Sequence, residues 1–182
     1  MKNNSIKKVV ATGIGAALFV IIGILVNIPV PVPNTSIQLQ YAVLALFALI
    51  YGPSVGFFAG FIGHALKDAI QYGSVWWTWV LVSGLIGLGI GLLSGVIKLD
   101  KGQLQGKDYL VFNLTQLVVN FIGWGLIAPY ADVLIYKEIA SKVYVQGIWS
   151  AGVNALTVGL GGSLLIGLYA RTRIKAGSLS KE

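Results

Sequence analysis

The residues with the clearest chemical potential lie in the segment GHALKD at positions 63–68. His64 and Asp68 are four residues apart and share one face of a helix, and Lys67 lies three residues from His64. Because ionisable side chains within an apolar helix mark functional sites by default, we expect this group to offer a hydrogen-bonding edge to a small polar ligand. The alternative is interfacial anchoring, in which Lys67 and Asp68 balance each other's charge and the histidine is satisfied within the fold.

Aromatic residues follow this group directly, at Tyr72, Trp76, Trp77 and Trp79. Tryptophan and tyrosine collect at membrane interfaces, so an anchoring belt is the simple interpretation. However, all five tryptophans, including Trp124 and Trp149, fall in the half of the predicted bundle that we assign to the outside. A belt normally occupies both interfaces, so we expect instead a pocket that opens outward and stacks a flat heterocycle. By analogy with base stacking, each ring contact is worth about 1–3 kcal/mol.

Amide side chains add hydrogen-bond donors and acceptors to the same half. Gln38 and Gln40 open the second predicted helix, Asn120 lies four residues before one tryptophan, and Asn154 lies five residues after another. Each amide alone is most simply a helix–helix hydrogen bond. Their convergence on one side favours a pocket for a neutral or weakly charged heteroaromatic compound.

The composition shows what must position these residues. The chain of 182 residues is 56% hydrophobic and 10% charged, with 24 glycines and no cysteine, and its mean hydropathy is +0.82. Soluble domains are roughly a quarter charged. These values exclude a soluble globular enzyme, a disordered chain, a disulfide-stapled domain and a cysteine-ligated metal site. They leave a polytopic membrane protein.

Long charge-free runs predict an all-α bundle of six transmembrane helices in a single membrane domain over residues 1–182, because a span needs about 20 apolar residues. The predicted helices cover residues 9–28, 37–51, 53–70, 76–97, 109–128 and 146–169. Gly52 suits the end of one helix and Pro53 the first turn of the next. Since the second and third helices are short, five spans are the alternative.

The basic residues predict the orientation. With six spans, ten fall on one side, namely Lys2, Lys7, Lys8, Lys98, Lys101, Lys107, Arg171, Arg173, Lys175 and Lys181. The other side has Lys67, Lys137 and Lys142, and the acids, including Glu182, divide evenly. Both termini are therefore expected in the cytoplasm of a multi-pass protein of the cell membrane. Anionic lipid headgroups explain the net charge of +7 without a nucleic-acid partner.

The first apolar run also has the basic flank of a signal peptide. Its length of about 20 residues and the proline-rich segment after it, in place of a small-x-small cleavage site, favour a retained first helix.

Small residues recur at helix-packing spacing in the predicted first, third, fourth and sixth helices. Gly56 and Gly60 form a GxxxG pair, and Gly13 and Ala17 lie on one face of the first helix. The general interpretation of this small-residue spacing is that the helices pack against each other within the bundle. The face on the first helix is the best candidate for contact with a separate protein.

Known catalytic and cofactor motifs are absent from the sequence. There is no GxxxxGK[ST] and no HExxH, and one histidine without cysteine makes a zinc site implausible. No metal or cofactor is predicted, and we expect no enzymatic activity in this chain. A Ser–His dyad that uses His64 stays open, although nothing in the sequence marks a partner serine.

Four segments carry a family resemblance: PVPNTSIQLQY at 31–41, GHALKD at 63–68, GSVWW at 73–77 and ARTR at 170–173. Over nearly the whole length the chain resembles the S component of an energy-coupling factor (ECF) transporter. It is most similar to a lactic-acid-bacterial subfamily assigned to hydroxymethylpyrimidine, a thiamine precursor, and sometimes labelled riboflavin transporters. The resemblance implies six helices, a pocket in the outer half, a transmembrane coupling subunit (EcfT-type) and two cytoplasmic ATPases as partners.

In that family, small residues on the first helix contact the coupling subunit, and the S component topples in the membrane to carry its substrate inward. The matching residues here are Ala11, Gly13, Gly15 and Ala17. The predicted substrate-binding residues are Gln38, Gln40, Tyr41, His64, Lys67, Asp68, Tyr72, Trp76, Trp77, Asn120, Trp124, Trp149 and Asn154. A riboflavin-specific S component and a self-sufficient channel or facilitator are the alternatives to vitamin-precursor capture.

Overall fold

The computed structural model describes residues 2–102 and 104–173. Lys175, Lys181 and Glu182, which enter the predicted charge asymmetry, lie outside the described residues. Within these residues the chain forms six antiparallel helical rods and one short β-hairpin. The helices are α1 (Lys2–Leu25), α2 (Gln40–Tyr51), α3 (Pro53–Tyr72), α4 (Trp77–Gly91), α5 (Gly106–Ile122), α6 (Ala128–Ile135), α7 (Ala140–Thr157) and α8 (Ser163–Arg171).

Four of the six rods in the described residues are long and apolar enough to cross a membrane. α4 continues into a 3₁₀ turn, Leu92–Gly95, while π-helical turns join α5 to α6 at Gly123–Ile127 and α7 to α8 at Val158–Gly162. The fifth and sixth rods are therefore each made of two helices without a break in direction.

The hinge predicted at positions 52–53 is present. Gly52 has φ of +94°, a value that L side chains rarely adopt, and Pro53 occupies the first turn of α3. This conformation requires glycine, and the proline ring has no backbone N–H to lose there. The two helices pack against each other and against α4, so the hinge sets the core of the bundle.

The predicted end of the first helix and the predicted start of the second are wrong because a β-hairpin connects the two helices. Strand β1 (Asn27–Pro29) pairs antiparallel with β2 (Ser36–Gln38), with Ile28 opposite Ile37. Consequently α1 ends at Leu25 rather than 28, and α2 begins at Gln40 rather than 37. The backbone groups at these positions bond across the hairpin instead of along a helix.

The later boundaries shift little in α3 and the fourth rod, and more in the fifth and sixth rods. Helix α3 extends to Tyr72 and the fourth rod covers residues 77–95, against predictions of 70 and 76–97. The fifth rod runs over 106–135 rather than 109–128, and the sixth over 140–171 rather than 146–169. Pro129 does not end the fifth rod, because the π-helical turn before it relieves the clash that proline makes with the preceding turn.

Glycines bring α3 and α4 into backbone contact. A Cβ on Gly56 would lie 2.2 Å from the carbonyl oxygen of Gly87, and one on Gly87 would lie 2.1 Å from that of Gly56. Similarly, a Cβ on Gly60 would lie 2.5 Å from the carbonyl oxygen of Ser83. The small-residue stripes of these two helices thus serve packing inside the bundle, as the general interpretation expects.

Candidate functional site

A cavity of about 280 Å³ opens at the end of the bundle where the hairpin lies. Its walls come from the hairpin, the start of α2, the end of α3, the α3–α4 loop, the start of α4, the fifth rod and one face of α7. Nine of the thirteen predicted binding residues line it: Gln38, Tyr41, His64, Lys67, Asp68, Tyr72, Trp76, Trp124 and Asn154. Residues distant in sequence are therefore brought to one concave surface.

The floor of the cavity contains three aromatic rings. Trp79 stacks on Trp124 at 5.6 Å between centroids with 25° between planes, and Tyr41 meets Trp124 edge-on at 5.4 Å. Trp124 is fully buried and is carried by the π-helical turn. Such turns re-aim side chains within a helix and occur often at functional sites.

Asp132 fixes the indoles from the side. It accepts hydrogen bonds from Trp76 Nε1 at 3.0 Å and from Trp79 Nε1 at 2.7 Å, and the Thr78 hydroxyl also donates to it. The carboxylate is buried and lines the cavity. Sequence reasoning missed Asp132 and Trp79 as site residues. Asp132 could have been noticed as an isolated acid next to a long apolar run. However, the prediction ended the fifth helix at residue 128, before this acid.

His64 links α3 to α4 through a chain of buried polar groups. His64 Nδ1 lies 2.6 Å from Ser83 Oγ, which also lies 2.9 Å from the Tyr41 hydroxyl. On its other side, His64 Nε2 is 3.3 Å from Asp68 Oδ1. Tyr41 and His64 are thereby held in fixed orientations at the cavity wall.

Ser83 is the partner serine that the sequence did not mark. Together with His64 and Asp68 it has the order of a hydrolase triad. However, the Ser83 side chain is fully buried, is engaged by Tyr41, and is not part of the cavity lining. The serine therefore orients its neighbours rather than facing a ligand.

A second chain of amides positions Trp124 from behind. Trp124 Nε1 donates to Asn120 Oδ1 at 3.2 Å, and Asn120 Nδ2 donates to the Gln116 carbonyl at 2.8 Å. Gln116 in turn donates to the Ala155 carbonyl on α7 at 3.1 Å. Asn120 is fully buried and lies behind the lining, so it acts through the indole.

The hairpin is tied to the helices by amide hydrogen bonds. Gln40 Nε2 donates to Gln38 Oε1 at 2.6 Å, and Gln38 Nε2 donates to Ser36 Oγ at 2.8 Å. Gln146 of α7 donates to the Pro33 carbonyl at 2.8 Å. The hairpin therefore forms a wall of the cavity that is held to both α2 and α7.

The remaining four predicted residues lie outside the lining. Asn120 and Gln40 stand behind it, each bonded to a residue that lines the cavity. Trp77 is about half exposed and packs its ring 6.0 Å from that of Phe61 on the outside of the bundle. Trp149 borders a shallow apolar groove on the outer face of α7. These two indoles lie on the outside of the bundle, as the belt interpretation expects, and not in the cavity.

Charges at the cavity are mixed in sign. Glu138 and Lys142 form an ion pair of 2.8 Å and both line the cavity. The lining also includes Lys67, Asp68 and Asp132. Two lysines and three carboxylates therefore give walls without a strong net charge.

The predicted partner face of α1 is divided by the fold. Ala11 is buried, and a Cβ on Gly15 would lie 3.1 Å from Ala59 and from the Phe47 ring, so both residues face the bundle interior. Gly13 and Ala17 are exposed, and no described atom lies within 4 Å of a Cβ built on Gly13. Ala11 and Gly15 therefore pack within the bundle, whereas Gly13 and Ala17 face outward.

Comparisons with known proteins agree with the fold. A family model described as "ECF-type riboflavin transporter, S component" matches residues 3–171. The UPF0397 protein of Streptococcus agalactiae serotype Ia is 63% identical, and UPF0397 protein YdcD of Lactococcus lactis subsp. lactis is 60% identical, each over all of both chains. A solved S-component for biotin from an ECF-type ABC transporter superposes with a TM-score of 0.66 at 14% identity, covering 92% of this chain and 93% of that one.

S components are membrane-embedded subunits for vitamin uptake, and they work with a coupling subunit and ATPases. The family match spans nearly the whole described chain, and the structural match adds the fold. The chain belongs to the family of ECF-type riboflavin transporter S components.

Proposed function

We propose that this chain captures a small heteroaromatic vitamin or vitamin precursor from outside the cell, with hydroxymethylpyrimidine as the favoured substrate. The observation that carries the proposal is the stacked Trp79–Trp124 pair, which floors a cavity otherwise lined by hydrogen-bonding groups. An aromatic face beside polar side chains suits a flat ring with polar substituents.

The size of the cavity favours a single ring. Ligand pockets range over about 300–1,000 Å³, and this cavity, at about 280 Å³, lies just below that range. Riboflavin, which the family description names, has three fused rings and a ribityl chain and needs a wider space. Riboflavin is the second candidate because of that description.

The cavity is proposed to face the exterior. Lys98, Lys101, Lys107, Arg171 and Arg173 lie at the opposite end of the bundle from the cavity. Basic residues concentrate on the cytoplasmic side of membrane proteins. Six spans with both termini in the cytoplasm are part of this proposal.

Delivery is proposed to occur by toppling in the membrane, powered by two cytoplasmic ATPases through an EcfT-type coupling subunit. The exposed pair Gly13 and Ala17 on α1 gives the coupling subunit a surface that a helix can approach closely. Few charges lie in the body of the bundle, so tilting moves little charge through lipid.

Binding and transport are tested separately. Tryptophan-quenching titration or native mass spectrometry of the purified chain should show binding of hydroxymethylpyrimidine in preference to thiamine and riboflavin. Trp124→Ala and Trp76→Ala should weaken binding, whereas Trp149→Ala, which alters an exposed indole away from the cavity, should leave it unchanged. Equal losses in all three variants would contradict the placement of the pocket.

The channel alternative is decided by reconstitution. An S component should take up substrate in proteoliposomes only with its coupling subunit and ATPases, and only with ATP. Uptake by this chain alone would show a self-sufficient facilitator and would overturn the proposal.

A further inference from the structure

Two polar groups at the cavity wall have no hydrogen-bond partner among the residues that the structure describes. Lys67 is 1% exposed, and among residues 2–102 and 104–173 its ammonium takes part in no hydrogen bond or ion pair. Its nearest described aromatic contact is the Tyr72 ring, 5.6 Å from Nζ to the centroid. Asn154 is 5% exposed, and its Oδ1 is buried without a hydrogen-bond partner in the described chain.

The carboxylates of the cavity are in the opposite situation. Asp132 already accepts from two indoles and a hydroxyl, and Asp68 accepts from His64 and from the Trp76 backbone N–H at 3.3 Å. Burying a polar group without a partner is costly, whereas these acids are satisfied. The groups that gain from a ligand are therefore a lysine donor and an asparagine acceptor, not the acids.

We propose, building on the function proposed above, that Lys67 donates a hydrogen bond to a ring nitrogen or other acceptor of the substrate and that Asn154 Oδ1 accepts one from a substrate N–H. The ligand class is a neutral nitrogen heterocycle that carries both an acceptor and an N–H donor, as an aminopyrimidine does. A cationic heterocycle is disfavoured because the acids are already engaged and the free charge is positive. A carboxylate ligand is the competing class that the test must separate, because it would also pair with the Lys67 ammonium.

The test compares two ligands that differ by one group, hydroxymethylpyrimidine and its analogue with hydrogen in place of the amino group. The unaltered protein should bind the analogue roughly 3- to 10-fold more weakly, the range of one neutral hydrogen bond. In Asn154→Leu the two compounds should bind equally, because the acceptor for the amino group is gone. In Lys67→Met both should weaken by roughly 10- to 100-fold, since the lost hydrogen bond is to a charged donor.

Asn113→Leu is the matched control, because Asn113 bonds to Tyr109 and Ser163 and does not line the cavity. Thermal unfolding and elution volume check that each variant folds. If Lys67→Met does not fold, Lys67→Gln takes its place, and the ligand comparison in the unaltered protein and in Asn154→Leu decides the Asn154 pairing.

The outcomes separate this inference from the function. If hydroxymethylpyrimidine binds but Asn154→Leu keeps the preference for the amino compound, the pairing is wrong and the proposed function stands. If the unaltered protein binds riboflavin, or a carboxylate vitamin lost in Lys67→Met, and not hydroxymethylpyrimidine, the substrate class and the inference both fall.

Discussion

At the scale of single residues, Asp132 has the widest influence on the site. One carboxylate on α6 receives two indole N–H groups and one hydroxyl from the start of α4. Hydrogen bonds to a charged acceptor are stronger and more directional than neutral ones. Asp132 therefore determines where the Trp79 ring lies relative to Trp124, and so the width of the stacking floor.

We expect Asp132→Asn to weaken substrate binding by roughly 10- to 100-fold, because the amide accepts with one oxygen and without charge. The change in dissociation constant is measured by tryptophan quenching. Asp108→Asn is the control, since Asp108 caps the N-terminus of α5 at the far end of the bundle and bonds to the Gln105 backbone. Equal affinity in Asp132→Asn and the unaltered chain would show that the indoles are fixed without this acid.

At the scale of elements, the α3–α4 interface is so closely packed that it leaves no space for larger side chains. Gly56 and Gly87 face each other so closely that a Cβ on either residue would overlap the carbonyl oxygen of the other. His64 and Ser83 lie along the same pair of helices and meet at 2.6 Å. Separation of these helices would therefore disrupt the polar chain that orients Tyr41.

We predict that Gly87→Ala destabilises the fold by about 1–3 kcal/mol or more, as expected for overpacking, and also weakens substrate binding. Thermal unfolding in detergent measures the first effect and ligand titration the second. Gly152→Ala is the matched control, because no described atom lies within 4 Å of a Cβ at Gly152 on α7. That control should be neutral or more stable by up to about 1 kcal/mol, from helix propensity. Similar unfolding temperatures for both variants would contradict the close approach.

The elements that could be predicted from sequence are those with local signals. Charge-free runs predicted the helical rods, and Gly52 with Pro53 predicted the hinge. The hairpin could not be predicted, because three prolines indicate a loop and the pairing of Ile28 with Ile37 is nonlocal. The π-helical turn before Pro129 also has no sequence pattern, and its absence from the prediction is why Asp132 was left outside the site. Trp77 and Trp149 were grouped with the pocket because sequence gives the depth of an indole but not the face of the bundle on which it lies.

At the scale of the whole molecule, substrate capture and coupling use different surfaces. The cavity lies at one end, and the exposed small pair lies near the middle of α1, on the outer surface of the bundle. We expect Gly13→Leu and Ala17→Leu to leave substrate binding unchanged and to reduce ATP-dependent uptake at least about tenfold, because a bulky side chain keeps the partner helix away. Uptake in proteoliposomes with the coupling subunit and ATPases measures the effect. Gly152→Leu, an exposed glycine on α7, should transport normally, and a similar loss there would assign the defect to bulk at any lipid-facing position.

The orientation of the molecule is open to a direct test because the chain has no cysteine. Ser141 lies at the cavity end and Lys107 at the opposite end, and both are exposed. If the basic end faces the cytoplasm, a membrane-impermeant maleimide applied to intact cells should label Ser141→Cys and not Lys107→Cys, and permeabilisation should expose both. The reverse pattern would place the cavity inside the cell, where it could not receive a solute from outside. Labelling of both sites in intact cells would instead show that the fifth rod, which connects the two sites, does not cross the membrane.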